Sequence, residues 1–476
     1  MQFNSYSYLL FLALAVILFW RLPVSWRRVY VLALSLLFYA SWSIAFLLLP
    51  LSICAITYFC ASRMRRSPQN KRFWLWLGIA AVLSGLAFFK YSAFLLQNLK
   101  PLLPGGVPAI AALVLPLGIS FYTFEAVSYL LDVRQGRVSS TSFVDLCLFV
   151  LFWPHLIAGP IVRFRELAPQ LRFDRPFERE SVIRGLDRLV LGLVQKNLFA
   201  NSLAGWVDDG FLPRVAHLNT FLDNWCLAAA FGLQIYFDFA AYSNMAIGAA
   251  QLIGVRLPEN FRCPYHAQNP VEFWSRWHMT LSRWIRDYLF FPINARHKGA
   301  PLPLYTSLMG VMALVGLWHG AGWGFVLWGT LHGAYLVAYR VFETLQKTRF
   351  ASVASSRPVA LGWRLATLAA VTAAWVPFRA ATLDQAWSML RTMVASPSLA
   401  FSYSVNFYLA TSLLCLFCLL EPYLERIVSG LDQFMCRHQP LMLGNHLAFR
   451  PLLYAVGLLL FMIFDDRDTQ FIYFQF

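Results

Sequence analysis

YSYLLFLALAVILFW, residues 6–20, carries no charged side chain and ends against Arg21. The run is long enough, with the arginine behind it, to be a retained first membrane span, and no small-residue cleavage site follows as a secretory signal would require. Working outward, similar apolar runs recur along almost the whole chain. Of the 476 residues, 59% are hydrophobic, 17% aromatic and only 13% charged, and the mean hydropathy is +0.56. That is too apolar for the surface of a soluble domain of this length. An outer-membrane barrel would show alternating segments of about 10 residues, whereas these runs are continuous, so the spans are helical and the fold class is all-α.

Lys and Arg outnumber Asp and Glu 39 to 23, a formal charge of +16. In a soluble protein this balance could point to nucleic acid. Here the basic residues fall in short loops between apolar runs, as orientation signals do, which argues against a nucleic-acid partner. The cysteines are scattered through apolar segments. Even the CLFC spacing of Cys415 and Cys418 lies in a leucine run, and it reads as buried small hydrophobes, not as a redox pair or a metal clip.

The basic loops thread the chain through a bilayer. Arg21, Arg27 and Arg28 follow the first span, and Arg63, Arg65, Arg66, Lys71 and Arg72 follow about two spans later. Both loops are expected in the cytoplasm, so the N-terminus is expected outside. FVDLCLFVLFWPHLIAGPIV, residues 143–162, has basic flanks at both ends. It reads as a re-entrant or surface-lying element in which Pro154, Gly159 and Pro160 break the helix where protein covers the freed backbone groups. Residues 256–298, dense in Arg and Trp, read as interfacial helices. The sum is about twelve crossings in one domain over residues 1–476, with both ends outside. DDRDTQ (465–470) and the tail FIYFQF (471–476) then lie at the outer face.

Polar groups at membrane depth are costly, so each needs a partner or a task. Three clusters qualify. GLWHGAGWGFVLWGTLHG (316–333) places His319 in an apolar run and His332 thirteen residues later. On one continuous helix at ~100° per residue the two rings lie about 140° apart, so they face each other only if the glycines break the helix. EFWSRWHMTLSRWIRDYLFFP (272–292) pairs Glu272 with Arg276 and Arg283 with Asp287 at i,i+4 spacing, as an amphipathic surface helix would, but that reading leaves His278 unexplained. LQIYFDFAAYSNMAIG (233–248) buries Asp238, which needs a cation or a donor. No basic residue is local, and a structural or supporting role is the expectation.

These clusters, with FWPHLIAGPIVRF (152–164) and PENFRCPY (258–265), resemble in order the motifs of membrane-bound O-acyltransferases. The likeness is greatest to the bacterial branch that O-acetylates exopolysaccharides such as alginate. It covers roughly residues 115–333, and FIYFQF matches at the end. The resemblance implies a funnel-shaped helical enclosure, with His319 as the characteristic deep histidine and His278 at a second polar position that is often His or Asn. It implies acyl transfer from a cytoplasmic thioester, acetyl-CoA being the expected donor and no permanently bound cofactor or metal being needed. The acceptor is a hydroxyl on the other side of the bacterial inner membrane. A histidine that accepts the hydroxyl proton suits such chemistry. In related two-component systems the tyrosine of the tail motif acts as an acyl relay, which implies that Tyr473 is acylated and passes the group to a periplasmic O-acetyltransferase. Two positions depart from the branch: Asn244 stands where Asp is usual, and INARHKG (293–299) where a Gly-Gly turn is usual. D-alanyl transfer from a carrier protein to a cell-wall polymer is the enzymatic alternative, although there the tail motif belongs to a separate small peptide. A transporter or flippase is the non-enzymatic alternative, and no internal repeat supports it.

Overall fold

The computed structural model describes residues 1–102, 114–295, 301–349, 357–395, 398–437, 439–464 and 471–472. Every regular element among them is a helix, the arrangement in which a chain this apolar satisfies its backbone donors and acceptors within each segment. The helices fall into two compact units, residues 1–192 with 242–259, and residues 193–241 with 260–476. The helix Phe221–Leu252 contributes to both.

In the first unit the helices Ile44–Arg66, Lys71–Leu86 and Ile119–Arg134 pack against one another. A Cβ on Gly78 would come within 3.0 Å of Cys60 and Leu130, so the absence of a side chain there sets the approach. Ser5 and Ser43 cap their helices by accepting N–H bonds from Tyr8 and Phe46, and Ser142 with Asp145 forms a capping box. Arg63, Arg65 and Arg66 occupy the last turn of their helix, where cations complement the exposed carbonyls. The helix Phe143–Leu151 stops at Phe152, and the chain runs irregularly until Phe164. Residues 146–162 are all buried, so the break at Pro154 and beyond falls where protein covers it, as the sequence requires. Within this stretch His155 places Nδ1 2.9 Å from Glu125 Oε1, and both side chains are buried. A Cβ on Gly159 would lie 2.4 Å from His155 Cα, which only glycine permits.

The second unit contains the helical hairpin Pro301–His319 and Trp323–Arg349, followed by Arg357–Arg379, which packs along its second arm. The hairpin is held together by glycines. A Cβ on Gly316 would lie 2.1 Å from Phe325 O, and one on Gly329 would lie 2.2 Å from Met312 O. Backbones this close gain dispersion along their whole contact without needing a hydrophobic driving force, which lipid does not supply between helices.

Five helical stretches among the described residues are long and apolar enough to cross a membrane: Ile44–Arg66, Pro68–Leu99, Leu302–His319, Pro358–Arg379 and Val405–Leu424. Tyr6–Arg21 and Arg450–Phe464 are shorter apolar helices. The count of about twelve is therefore larger than length and apolarity alone return. Some of the apolar runs behind it form helices shorter than that criterion, as Tyr6–Arg21 and Arg450–Phe464 do.

The glycine contact gives a test. Gly329→Ala must push the two arms apart and is expected to cost about 1–3 kcal/mol, lowering the melting temperature in detergent. Gly362→Ala, with nothing within 4 Å of the added carbon, is expected to leave it unchanged or slightly raised. Equal melting of both variants would show that the hairpin does not depend on the close approach.

Candidate functional site

His319 is the last residue of its helix, and the chain turns through Gly320–Gly322 before Trp323 starts the next. The glycines thus break the helix between His319 and His332, the condition under which the two imidazoles can share surroundings. A Cβ on Gly320 would lie 2.1 Å from the Phe325 ring, so this glycine lets that ring close over the turn. The indole of Trp328 then lies against both histidines, with ring centres 5.1 Å from His319 and 4.8 Å from His332. Phe378 adds a further face at 5.7 Å from His319. All three histidines of the second unit's sequence motifs, His278, His319 and His332, are buried.

His278 reaches the same place by a different route. The segment read as interfacial is two short helices, Pro270–Arg276 and Met279–Ile285, and not one. The first carries the expected Glu272–Arg276 pair at 2.7 Å, and Asp287 lies 3.0 Å from Arg286. Between the helices the chain reverses at His278, whose φ of 41° is left-handed. That conformation carries a steric cost for a residue with a Cβ. Asn260 offsets it. Its carbonyl oxygen accepts the Met279 N–H at 2.8 Å, while its side-chain Oδ1 lies 3.0 Å from His278 Nδ1, 3.3 Å from Thr280 N and 2.8 Å from Thr280 Oγ1.

These contacts assign the tautomer. The Thr280 N–H can only donate, so the Asn260 atom facing it is the oxygen, and His278 Nδ1 must be the protonated nitrogen. Nε2 of His278 is then the proton-accepting atom. Burial lowers the imidazole pKa, so this ring is neutral at physiological pH and in the form a base requires. The ring centres of His278 and His319 are 6.4 Å apart, too far for a direct nitrogen-to-nitrogen hydrogen bond but close enough to flank one reacting group. In the same unit an apolar cavity of about 220 Å³ is lined by Trp274, Leu281, Val311, Met312 and neighbouring side chains; none of the three histidines lines it.

Asp238 has the cation that its local sequence lacks. Lys196, on the π-helical turn Gln195–Ala200, places Nζ 2.6 Å from Asp238 Oδ1, with both side chains buried. The second carboxylate oxygen accepts the backbone N–H of Ile472 at 2.8 Å. Phe471 and Ile472 are buried, so the start of the C-terminal tail is inserted in this unit. Tyr473 and the loop 296–298 lie outside the described residues.

In the first unit Asn244 accepts from Arg188 Nη1 at 2.7 Å, and the same guanidinium pairs with Glu259. The carboxylate usual at position 244 is thus not needed to hold this arginine, because a second acid is in reach. Arg184, Arg256, Asp187 and Gln251 join Arg188 and Glu259 around a cavity of about 460 Å³.

Asn260, Thr280, Trp328 and Lys196 were not singled out by the sequence. Asn260 sits in PENFRCPY, a motif noticed as a whole, but nothing local marks its side chain as the partner of a ring 18 residues later.

The model of the membrane-bound O-acyltransferase family, MBOAT, matches residues 34–376. The probable alginate O-acetylase AlgI of Azotobacter vinelandii is 38% identical over 93% of this chain and 87% of its own. The peptidoglycan O-acetyltransferase of Helicobacter pylori is 35% identical over 77% of this chain and 73% of its own. The teichoic acid D-alanyltransferase of Bacillus subtilis is 29% identical over 48% of this chain and 60% of its own. The chain belongs to the membrane-bound O-acyltransferase family and is an O-acyltransferase.

Proposed function

We propose that this O-acyltransferase carries acetyl groups from cytoplasmic acetyl-CoA across the bacterial inner membrane for O-acetylation of an exopolysaccharide, alginate-like or cellulose-like. The observation that carries the reading is the pair of buried imidazoles 6.4 Å apart, one of them with its tautomer set by Asn260. Two imidazoles flanking a hydroxyl can take its proton as it attacks a thioester carbonyl. The C–S bond breaks, the thiol leaves with a proton, and an oxygen ester forms. The aromatic wall of Trp328 and Phe378 excludes water that would otherwise hydrolyse the activated acyl group.

The hydroxyl is that of Tyr473, which receives the acetyl group and passes it to a periplasmic O-acetyltransferase acting on the polymer. The motif FIYFQF, residues 471–476, supports this reading, as does the burial of the residues just before the tyrosine. The similarity to the alginate and peptidoglycan O-acetylases extends over more of the chain than that to the D-alanyltransferase, which favours acetyl over D-alanyl. In this reading the N-terminus and the tail lie on the periplasmic side.

Purified protein supplied with labelled acetyl-CoA and a periplasmic partner provides the test. His319→Ala is expected to lower acetyl transfer by about 10²- to 10⁴-fold, as loss of a general base does; equal labelling would remove His319 from the chemistry. Labelling from an aminoacylated carrier protein and none from acetyl-CoA would transfer the assignment to the D-alanyl class.

Asn260→Ala frees the His278 ring to rotate and tautomerise. Its expected signature is a kcat about 10²-fold lower with KM for the donor little changed. A change confined to KM would mean that Asn260 serves binding and not the orientation of the base. Tyr473→Phe removes the relay hydroxyl alone, and polymer acetylation is expected to stop; full acetylation would return the tail to the role of an aromatic membrane anchor.

A further inference from the structure

We propose that the Lys196–Asp238 pair is a latch for the C-terminal tail: it grips the chain at Phe471–Ile472 and so fixes the reach of the residue that follows. The two charges are 2% and 4% exposed and 2.6 Å apart. Burying an ion pair costs more than burying an apolar pair of similar volume, so its presence is weak evidence for stability and better evidence for a specific task. Here both partners are used by a third segment. Asp238 gives Oδ1 to Lys196 and Oδ2 to the Ile472 N–H at 2.8 Å. The Lys196 ammonium lies 4.6 Å from the centre of the Phe471 ring, within the range of a cation–π contact.

The recognition is of a distinct kind. A carboxylate that accepts a main-chain N–H reads the course of the backbone whatever side chain residue 472 carries, while the ammonium reads an aromatic ring at residue 471. Lys196 lies in the π-helical turn Gln195–Ala200, a local widening common at functional positions. The occupant is a segment of this same chain. Residue 473 follows the held amide in the chain, and the value of the grip for acyl transfer rests on the Tyr473 relay reading.

Two readouts on the full-length protein separate the latch from the relay. The first is removal of the tail by carboxypeptidase in detergent, followed by intact-mass measurement. The second is acetyl transfer from labelled acetyl-CoA. Ile472→Pro deletes the donor N–H without touching the buried pair, and Phe471→Leu deletes the ring. Lys196→Met and Asp238→Leu, combined, replace the ions by apolar groups.

Loss of a hydrogen bond to a charged group is expected to raise the digestion rate roughly 10- to 100-fold in Ile472→Pro. The double variant is expected to match it while keeping the wild-type melting temperature to within a few degrees. If the double variant fails to fold, Ile472→Pro and Phe471→Leu carry the test alone. Digestion at the wild-type rate in both tail variants would overturn the latch. Faster digestion with acetyl transfer lowered in parallel supports latch and relay together. Faster digestion with transfer unchanged keeps the latch and overturns the relay.

Discussion

A polar group taken out of water inside apolar protein must find a partner there, and this constraint organises both units. In the first, Glu125 is met by His155, and Arg188 is shared between Asn244 and Glu259. In the second, Asp238 is met by Lys196, and His278 by Asn260. Each of these pairs joins residues well separated in sequence, so helices that could otherwise slide past one another are fixed in rotation and depth. The glycines that bring Pro301–His319 against Trp323–Arg349 act in the same sense through shape, since neither arm can turn without driving a side chain into the other's backbone.

The chemistry follows from that fixity. A base is effective when its lone pair is aimed before substrate arrives, and the cost of aiming it is met during folding. In the role proposed for His278, Asn260 does this through one oxygen that also holds Thr280, so the ring and the helix that starts beside it are oriented together. Trp328, in contact with His319 and His332, ties the second ring to the hairpin. The result is a pair of imidazoles carried on separate elements and held by different means, one by hydrogen bonds and one by aromatic packing.

How much of this could be read from the sequence depended on range. His319, the glycine break beside it and the Glu272–Arg276 pair rest on residues within a turn or two of one another, and periodicity and residue type reveal such features. The interruption at Pro154 and Gly159 was legible because proline and glycine act on their own backbone. Lys196 and Asn260 were not, since their partners lie 42 and 18 residues away and only the packing of helices brings them together. The setting of Asn244 was not legible for the same reason: Arg188, which donates to it, and Glu259, which pairs with that arginine, lie far from it in sequence. The number of crossings is not returned by length and apolarity among the described residues, since an apolar run reports burial without saying whether protein or lipid provides it.

The left-handed backbone at His278 has a bearing on how this site can change over time. Among residues with a side chain, only a few types enter that conformation readily, chiefly Asn, Asp and His. A β-branched or bulky replacement would be turned away by the main chain before its chemistry was tried. The choice between histidine and asparagine that the family resemblance implies at this position is therefore partly a steric filter, imposed by a reversal of the chain. Selection acts here on a short list that the backbone has already drawn up.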